Sequence, residues 1–482
     1  MTVTQVDKMF SFDPIPLTPL DYALHPHPIS MVLFFRVEDV DTGLLNLVEA
    51  SESLLQFLPL LAGQIAILPG PDQKVNRRYI VPLSEASTIE SWVEVRHQSL
   101  NISDFDLNHV ALQHLVAPWN PANEATVTQI TITALSDGIA LCLTFNHGVF
   151  DASGGCVVLE TLAGICQGLP PPTSFEQEVM LRNKITDIKA PPKPSQGLEN
   201  QFIKFATVVK PELKSVPRLK TQRLTLSAPR VNELVKVCNS SCAEWETIRN
   251  YRLKKPCLFV STNDVCTAAL ALCVARAKNL GSKSGCPSQE IHFGMAVGIR
   301  SQLALILDED VPFMGNAIVA VPIRSQLPPI PESIDAIHKC NGVELADVYY
   351  TSYIASLVRE QVVGVDEHRV LSTLGYLQET LDGEEAYLAG WGNPFSSLRK
   401  LSLYNLDFGA SLGSIVDFHL YPGDTEGAVY TLPKRVPEAG QKKADVPLEL
   451  LITLNEVDMD FLHSRPLFQW LLGKSSHYNA SS

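Results

Sequence analysis

No stretch of this 482-residue chain approaches the ~18 consecutive apolar residues of a membrane-spanning helix. No Cys-x-x-Cys pair occurs among its ten cysteines, so zinc and thiol-redox motifs are missing. Glycine-rich phosphate loops of the Walker or Rossmann type are missing too, which counts against nucleoside triphosphate and dinucleotide chemistry. Cations are in deficit: 38 Lys and Arg stand against 52 Asp and Glu, a formal charge of −14. Such a surface argues against non-specific nucleic-acid binding. The first residues show no basic region followed by an apolar one, so no secretory signal is expected. The cysteines lie mostly inside apolar runs, where they read as small hydrophobes of a reduced, cytoplasmic protein. The glycosylation triplets at Asn101, Asn239 and Asn479 then read as chance matches.

What remains is a folded chain of ordinary composition, 45 % hydrophobic and 19 % charged. At roughly 100–200 residues per domain it has room for two or three domains. The clearest break is the proline- and lysine-rich stretch 169–217, which reads as a crossover linker between a first unit, 1–180, and a second, 218–482. In the first unit, Leu44, Leu45, Val48, Leu55 and Leu58 recur at helical spacing after Asp41-Thr42, up to Pro59 and Gly63. Ile130 and Ile132 alternate with threonines as in a strand, and Ser136-Asp137-Gly138 signals a tight turn. Residues 139–145 form a nearly all-apolar strand expected to be buried on both faces. A loop from Gly148 to Gly155 and a helix through Val157, Leu162 and Ile165 follow. In the second unit, Val265, Ala268, Ala269, Leu272 and Ala275 form a helical stripe, with Thr262 or Asn263 as its expected cap and Gly281 as its end. Residues 291–300, 317–323, 400–409, 427–433 and 448–455 read as strands. Intermixed strands and helices point to an α/β or α+β protein.

His147 stands where the apolar strand opens into a glycine-containing loop, a common place for chemistry on a rigid scaffold. An unperturbed imidazole titrates near 6.5, so a modest shift leaves it neutral and basic at physiological pH. Asp151, four residues on, is placed either to orient that ring or to fix the loop. The spacing alone occurs often by chance, and a lone histidine is more often structural than catalytic.

Several segments in order nonetheless resemble the BAHD acyltransferases, and especially their fungal branch, which includes the trichothecene acetyltransferases. His147-Gly-Val-Phe-Asp151 matches the family's HxxxD motif. Asp407-Phe-Gly409-Ala410-Ser411 resembles its DFGWG segment, with Ala410 where the family usually has tryptophan and Ser411 where it has glycine. Pro59-Leu-Leu-Ala-Gly63, Ser261-Thr262-Asn-Asp-Val265, Val297-Gly-Ile-Arg300-Ser301 and Phe313-Met-Gly-Asn316-Ala317 resemble further family segments. The resemblance covers about residues 16–455. It implies two similar lobes of mixed sheet flanked by helices, with an active-site tunnel at their interface. The segment near 400–415 would pack back on the first lobe.

The implied reaction is transfer of an acyl group, most simply acetyl from acetyl-CoA, to a hydroxyl of a fungal secondary metabolite. His147 would be the general base, and no metal or tightly held cofactor is implied. Asp151 would pair with Arg300 and act on structure first, while Asp407 and Gly409 would shape a remote loop. Ser261, Thr262, Lys254, Lys255 and Asn316 are the candidate substrate or coenzyme A contacts, with Arg276 and Lys278 as weaker ones. For these cations the plainer reading is a solvated face. A monomer is expected.

Three other readings stay open at this stage. Gly409-Ala-Ser411-Leu-Gly413 fits the GxSxG elbow of serine esterases, but residues 415–420 look like a strand where the elbow needs a helix. A carrier-protein-dependent condensation-like domain would usually show histidine where Asn146 stands. A catalytically idle binding fold is opposed by the intact His147. Finally, His25-Pro-His27-Pro lacks a third metal ligand and reads as a surface turn.

Overall fold

The computed structural model describes residues 11–474, leaving out 25, 70–75, 84–91, 106–110, 118–125, 190, 192–194, 196–197, 199–201, 205–217, 242–258, 282–289, 310–311, 331–338, 382–385, 389–391 and 422–424. Two mixed sheets organise it. The first lobe's sheet contains β1 (Pro28–Phe35), β2 (Val93–His97), β3 (Thr128–Leu135) and β4 (Gly138–Asn146). The second lobe's sheet contains β5 (Leu219–Leu226), β6 (Glu290–Gly298), β7 (Ile318–Gln326), β8 (Pro394–Ser397), β10 (Val429–Thr431) and β11 (Leu448–Asn455). One strand of the chain's second half, β9 (Asp417–Tyr421), joins the first sheet by pairing antiparallel with β1. The orders are β9-β1-β4-β3-β2 and β7-β6-β8-β10-β11-β5.

Alternation of side chains onto two covered faces explains why the central strands are almost wholly apolar, with Ser30 and Thr144 bonded to each other across β1 and β4. On β1, Met31, Leu33 and Phe35 face one core while Val32 and Phe34 face another. On β4, Ile139, Leu141, Leu143 and Phe145 take the first face and Ala140 and Cys142 the second. Both faces are covered, so the two-residue period carries no polar phase. Helices α2 (Val40–Phe57) and α3 (Ala152–Cys166) cover the first face.

Helix boundaries differ from the expected ones where a cap decides them. The N-cap of α2 is Asp39, whose carboxylate accepts the Thr42 N–H. The stretch expected as a loop to Gly155 is already helical from Ala152, because Asp151 caps α3 by accepting the Gly154 N–H. The long buried helix α6 (Thr262–Gly281) follows α5 (Ala228–Ser240). Its cap is Ser261: the hydroxyl and Asp264 exchange hydrogen bonds, which displaces Thr262 and Asn263 from that role.

Two further expectations change. Residues 400–409 are not a strand: Leu403–Asn405 form a 3₁₀ turn, and Leu403, Tyr404, Phe408 and Leu412 enter the first lobe's core. The stretch 169–217 is more than a linker. It contains α4 (Phe175–Thr186), started by a Ser174–Gln177 capping box, with Glu178, Leu181, Arg182 and Ile185 buried. The lobes are therefore not two contiguous pieces of chain. Residues from beyond 398 complete the first core, while Leu20, Leu181 and Ile185 belong to the second.

Candidate active site

His147 follows the last residue of β4 and sits at the seam of the two lobes, half-buried. Its backbone N–H donates to the His27 carbonyl at 2.9 Å. Its ring Nδ1 lies 3.1 Å from the Phe150 carbonyl, an atom that only accepts, so Nδ1 carries the proton. The other ring nitrogen, Nε2, is then the basic one in the neutral ring. Burial pushes the His147 pKa below its ordinary value, and the hydrogen bond to Phe150 and the charge of Asp151 oppose that shift less strongly. The ring is thus held in one tautomer and neutral near pH 7.

Asp151 does not touch that ring. Its Oδ1 accepts from Gly154 N–H and Arg300 Nη2, and its Oδ2 from Arg300 Nη1 and Ala317 N–H, all at 2.8–2.9 Å. Burial alone would raise the carboxyl, but the Arg300 charge and these bonds outweigh it and hold the pKa below the carboxylate range. Arg300 opens α7 (Arg300–Leu307) and also donates to the carbonyls of Phe313 and Gly315. Phe150 and Gly315 form a β-bridge, and a Cβ on Gly154 would stand 1.8 Å from the Met314 carbonyl oxygen. The His147 turn is therefore pressed backbone to backbone against residues 313–317.

Asn316, a candidate substrate contact in the sequence, is fully buried. Its Nδ2 donates to the His147 carbonyl and to Asp21 Oδ1, both at 2.9 Å. The Asp21–Arg182–Glu178 cluster behind it carries no sequence motif and escapes the sequence reading. So does His27, read there as part of a surface turn, whose ring meets the His147 ring edge-on at 5.0 Å. His25 lies outside the described residues, as do Lys254 and Lys255. Ser261 spends its hydroxyl on the α6 cap. Arg276 is paired with Asp347, and Lys278 with Asn393 and Glu426. Among the described residues no His, Cys, Asp and Glu side chains gather as a metal site.

Asp407 and Gly409 lie elsewhere. The Asp407 carbonyl accepts from Gln167, and Gly409, at φ 82°, packs on Cys166, so this loop covers the C-terminal end of α3. Fifteen helical residues, about 22 Å at 1.5 Å per residue, separate that end from the N-terminus beside His147. Ser411 in the same loop accepts from Asn46, and the next element after it is the strand β9, not a helix. His419 is committed to Asp417 and Arg223, and His463 to Gln222, so neither pairs with Ser411. The esterase reading has no nucleophile–base pair here.

Two mixed-sheet lobes meeting at a seam, with one histidine on a braced turn, make up the two-lobed architecture of this site. A family model described as the Transferase family matches residues 89–468, and the chain belongs to that family, the BAHD acyltransferases. It is 27 % identical to the fumigaclavine B O-acetyltransferase of Aspergillus fumigatus, covering 97 % of this chain and 99 % of that one. It is 25 % identical to the communesin N16 acyltransferase of Penicillium expansum, over 97 % and 100 %. Its fold is similar to that of F. graminearum TRI101, solved with coenzyme A and deoxynivalenol, with TM-score 0.69 and 18 % identity over 95 % and 99 % of the chains. Vinorine synthase is similar at TM-score 0.60 and 15 % identity, over 96 % and 94 %.

Proposed function

We propose that the protein is an acyl-CoA-dependent O-acetyltransferase acting on a hydroxyl of a fungal secondary metabolite, with His147 as general base. The observation that carries this reading is the fixed tautomer of His147, which leaves Nε2 as a base at the lobe seam. Nε2 takes the proton of the acceptor hydroxyl as its oxygen attacks the thioester carbonyl. The C–S bond then breaks, and the leaving thiolate takes that proton back, giving the ester and free coenzyme A. Such general-base help contributes about 10²–10⁴ in rate. The names of the fumigaclavine, F. graminearum and related fungal proteins support acetyl as the group and a hydroxylated metabolite as the acceptor. We read the protein as a cytoplasmic monomer; no helix among the described residues is long and apolar enough to cross a membrane.

The donor's phosphates need cations on an acidic body. Strands β6, β8 and β10 run parallel, and Arg300, Arg399 and Lys434 follow their C-terminal ends. Ligands of open sheets lie at such ends. Arg300 is spent on Asp151, but Arg399 Nη1 is buried without a hydrogen-bond partner. Lys434 donates to the Lys443 carbonyl, and burial, Arg399 and Lys443 together hold its ammonium below the usual lysine pKa. We propose Arg399, Lys434 and Lys443 as phosphate contacts beside Lys254 and Lys255, which lie outside the described residues.

The test is a thiol-release assay with a panel of acyl-CoA donors against a metabolite extract, run beside His147→Ala. Release that is acceptor-dependent and falls about 10²–10⁴-fold in His147→Ala supports the reading. Full activity in His147→Ala overturns the base. Mass spectrometry of the product separates ester from amide, since the communesin relative is named for a nitrogen position.

A further inference from the structure

We propose that Arg182 is a positioning residue for His147, acting through a second buried ion cluster bonded to the motif turn; this rests on His147 being the base. Asp21 lies on α1 (Pro19–Tyr22), and Glu178 and Arg182 lie one turn apart on α4. All three side chains are 0 % exposed. Arg182 donates from Nε to Glu178 at 2.8 Å, from Nη1 to Asp21 at 2.9 Å and from Nη2 to the Val149 carbonyl at 3.1 Å. Val149 lies between His147 and Asp151. The guanidinium also lies over the Phe150 and Phe313 rings, 5.8 and 5.7 Å from their centroids.

The carboxylates carry the linkage onward. Glu178 Oε2 accepts the Met314 N–H at 2.9 Å. Asp21 Oδ1 accepts both the backbone and the side-chain nitrogen of Asn316, whose Nδ2 also holds the His147 carbonyl. The cluster therefore grips the same two segments, 147–151 and 313–317, that Asp151 and Arg300 also hold together. His147 is braced by two ion clusters, of which the HxxxD motif marks one.

The chemistry of burial favours a positioning role over a stabilising one. Desolvating two carboxylates and a guanidinium costs about as much as their attraction returns, and apolar replacements of such triads are often as stable. What an ion cluster supplies and a greasy contact does not is fixed direction at each hydrogen bond. Arg182 uses three different nitrogens on three partners, so it sets where Val149 lies relative to both carboxylates. The Phe150 carbonyl that fixes the His147 tautomer is the next residue along.

Arg182→Lys tests this directly. It keeps the charge, but one ammonium cannot reach Glu178, Asp21 and Val149 in the three directions the guanidinium serves. Thiol release from acetyl-CoA with the acceptor extract would show kcat lowered about 10–100-fold, the size of effect expected from a misplacement near 1 Å. The donor KM should stay within about twofold. The acid limb of the pH profile should move to lower pH, because loosening the Phe150 contact removes an interaction that raises the His147 pKa. Asn316→Ala is the second variant; it cuts the Asp21-to-His147 carbonyl link and leaves all three charges in place. Folded variants with wild-type kcat and pH profile, measured beside an inactive His147→Ala, overturn the positioning role alone. A fully active His147→Ala overturns the base itself. If neither Arg182→Lys nor Asn316→Ala folds, the cluster is architectural and the proposal fails.

Discussion

Replacing Asp151 separates a structural acid from a chemical one. Its side chain accepts four hydrogen bonds, two from backbone and two from Arg300, and is 4 % exposed. Asp151→Ala leaves Arg300 without its ion partner in a seam where its own side chain is only 27 % exposed. Breaking a buried pair from one side costs about 3–5 kcal/mol, and the lost α3 cap falls inside that range. For a cooperative unit of lobe size, each kcal/mol moves the melting temperature about 2–4 °C, so a fall of about 6–20 °C is expected. Thermal scans measure it, and rates taken well below the transition show what the folded fraction does. The double variant Asp151→Asn with Arg300→Met removes both charges and should melt above Asp151→Asn alone. The sign of the pH effect is also fixed. The Asp151 charge raises the His147 pKa, so its removal moves the acid limb of kcat/KM to lower pH. An Asp151→Asn protein with wild-type melting temperature and a 10³-fold loss of kcat would refute this reasoning, since Asp151 would then act on the reaction and not on the fold.

For the wild-type protein, burial holds the His147 pKa below its ordinary value of about 6.5, so the acid limb of kcat/KM measured from pH 5 to 9 should have its midpoint below pH 6.5. Ser411→Ala should keep wild-type thiol release and lose less than about 1 kcal/mol, since it gives up one half-buried bond from Asn46. Gly154→Ala should yield little soluble protein or a strongly lowered melting temperature, because its Cβ would stand 1.8 Å from the Met314 carbonyl oxygen, which is backbone and cannot rotate away. Burial would raise the Asp417 carboxyl, but His419 and Arg223 hold it well below the carboxylate range. Its stabilisation is therefore complete above the unfolded value near 3.9 and is lost progressively as pH falls from there through the lower folded value. Urea melts of Asp417→Asn should differ from wild type at pH 7 and converge toward it in acid.

The parts of this molecule that could be read from its sequence are those specified locally. Strand β4 shows itself because nine successive buried residues leave no polar phase, and His147 shows itself because it ends that run. The pairing of Asp151 with Arg300 spans 149 residues and came only from the resemblance, since neither residue has a local pattern that names the other. The Arg182–Asp21 pair spans 161 residues, and Arg182 lies in a stretch that composition marks as a linker. Charges read one at a time look solvated, and only the converging bonds of Asn316, Met314 and Val149 make three of them a buried device. Leu401, Leu403 and the residues around them alternate like a strand, yet they fold as a turn because the first lobe's core lacks a wall that the chain supplies from beyond residue 398. The same non-local logic sets β9 against β1 and so decides where each lobe ends. A local pattern can announce where His147 and the carbonyl that orients its ring stand; the charged residues packed behind that turn are ones the pattern treats as surface.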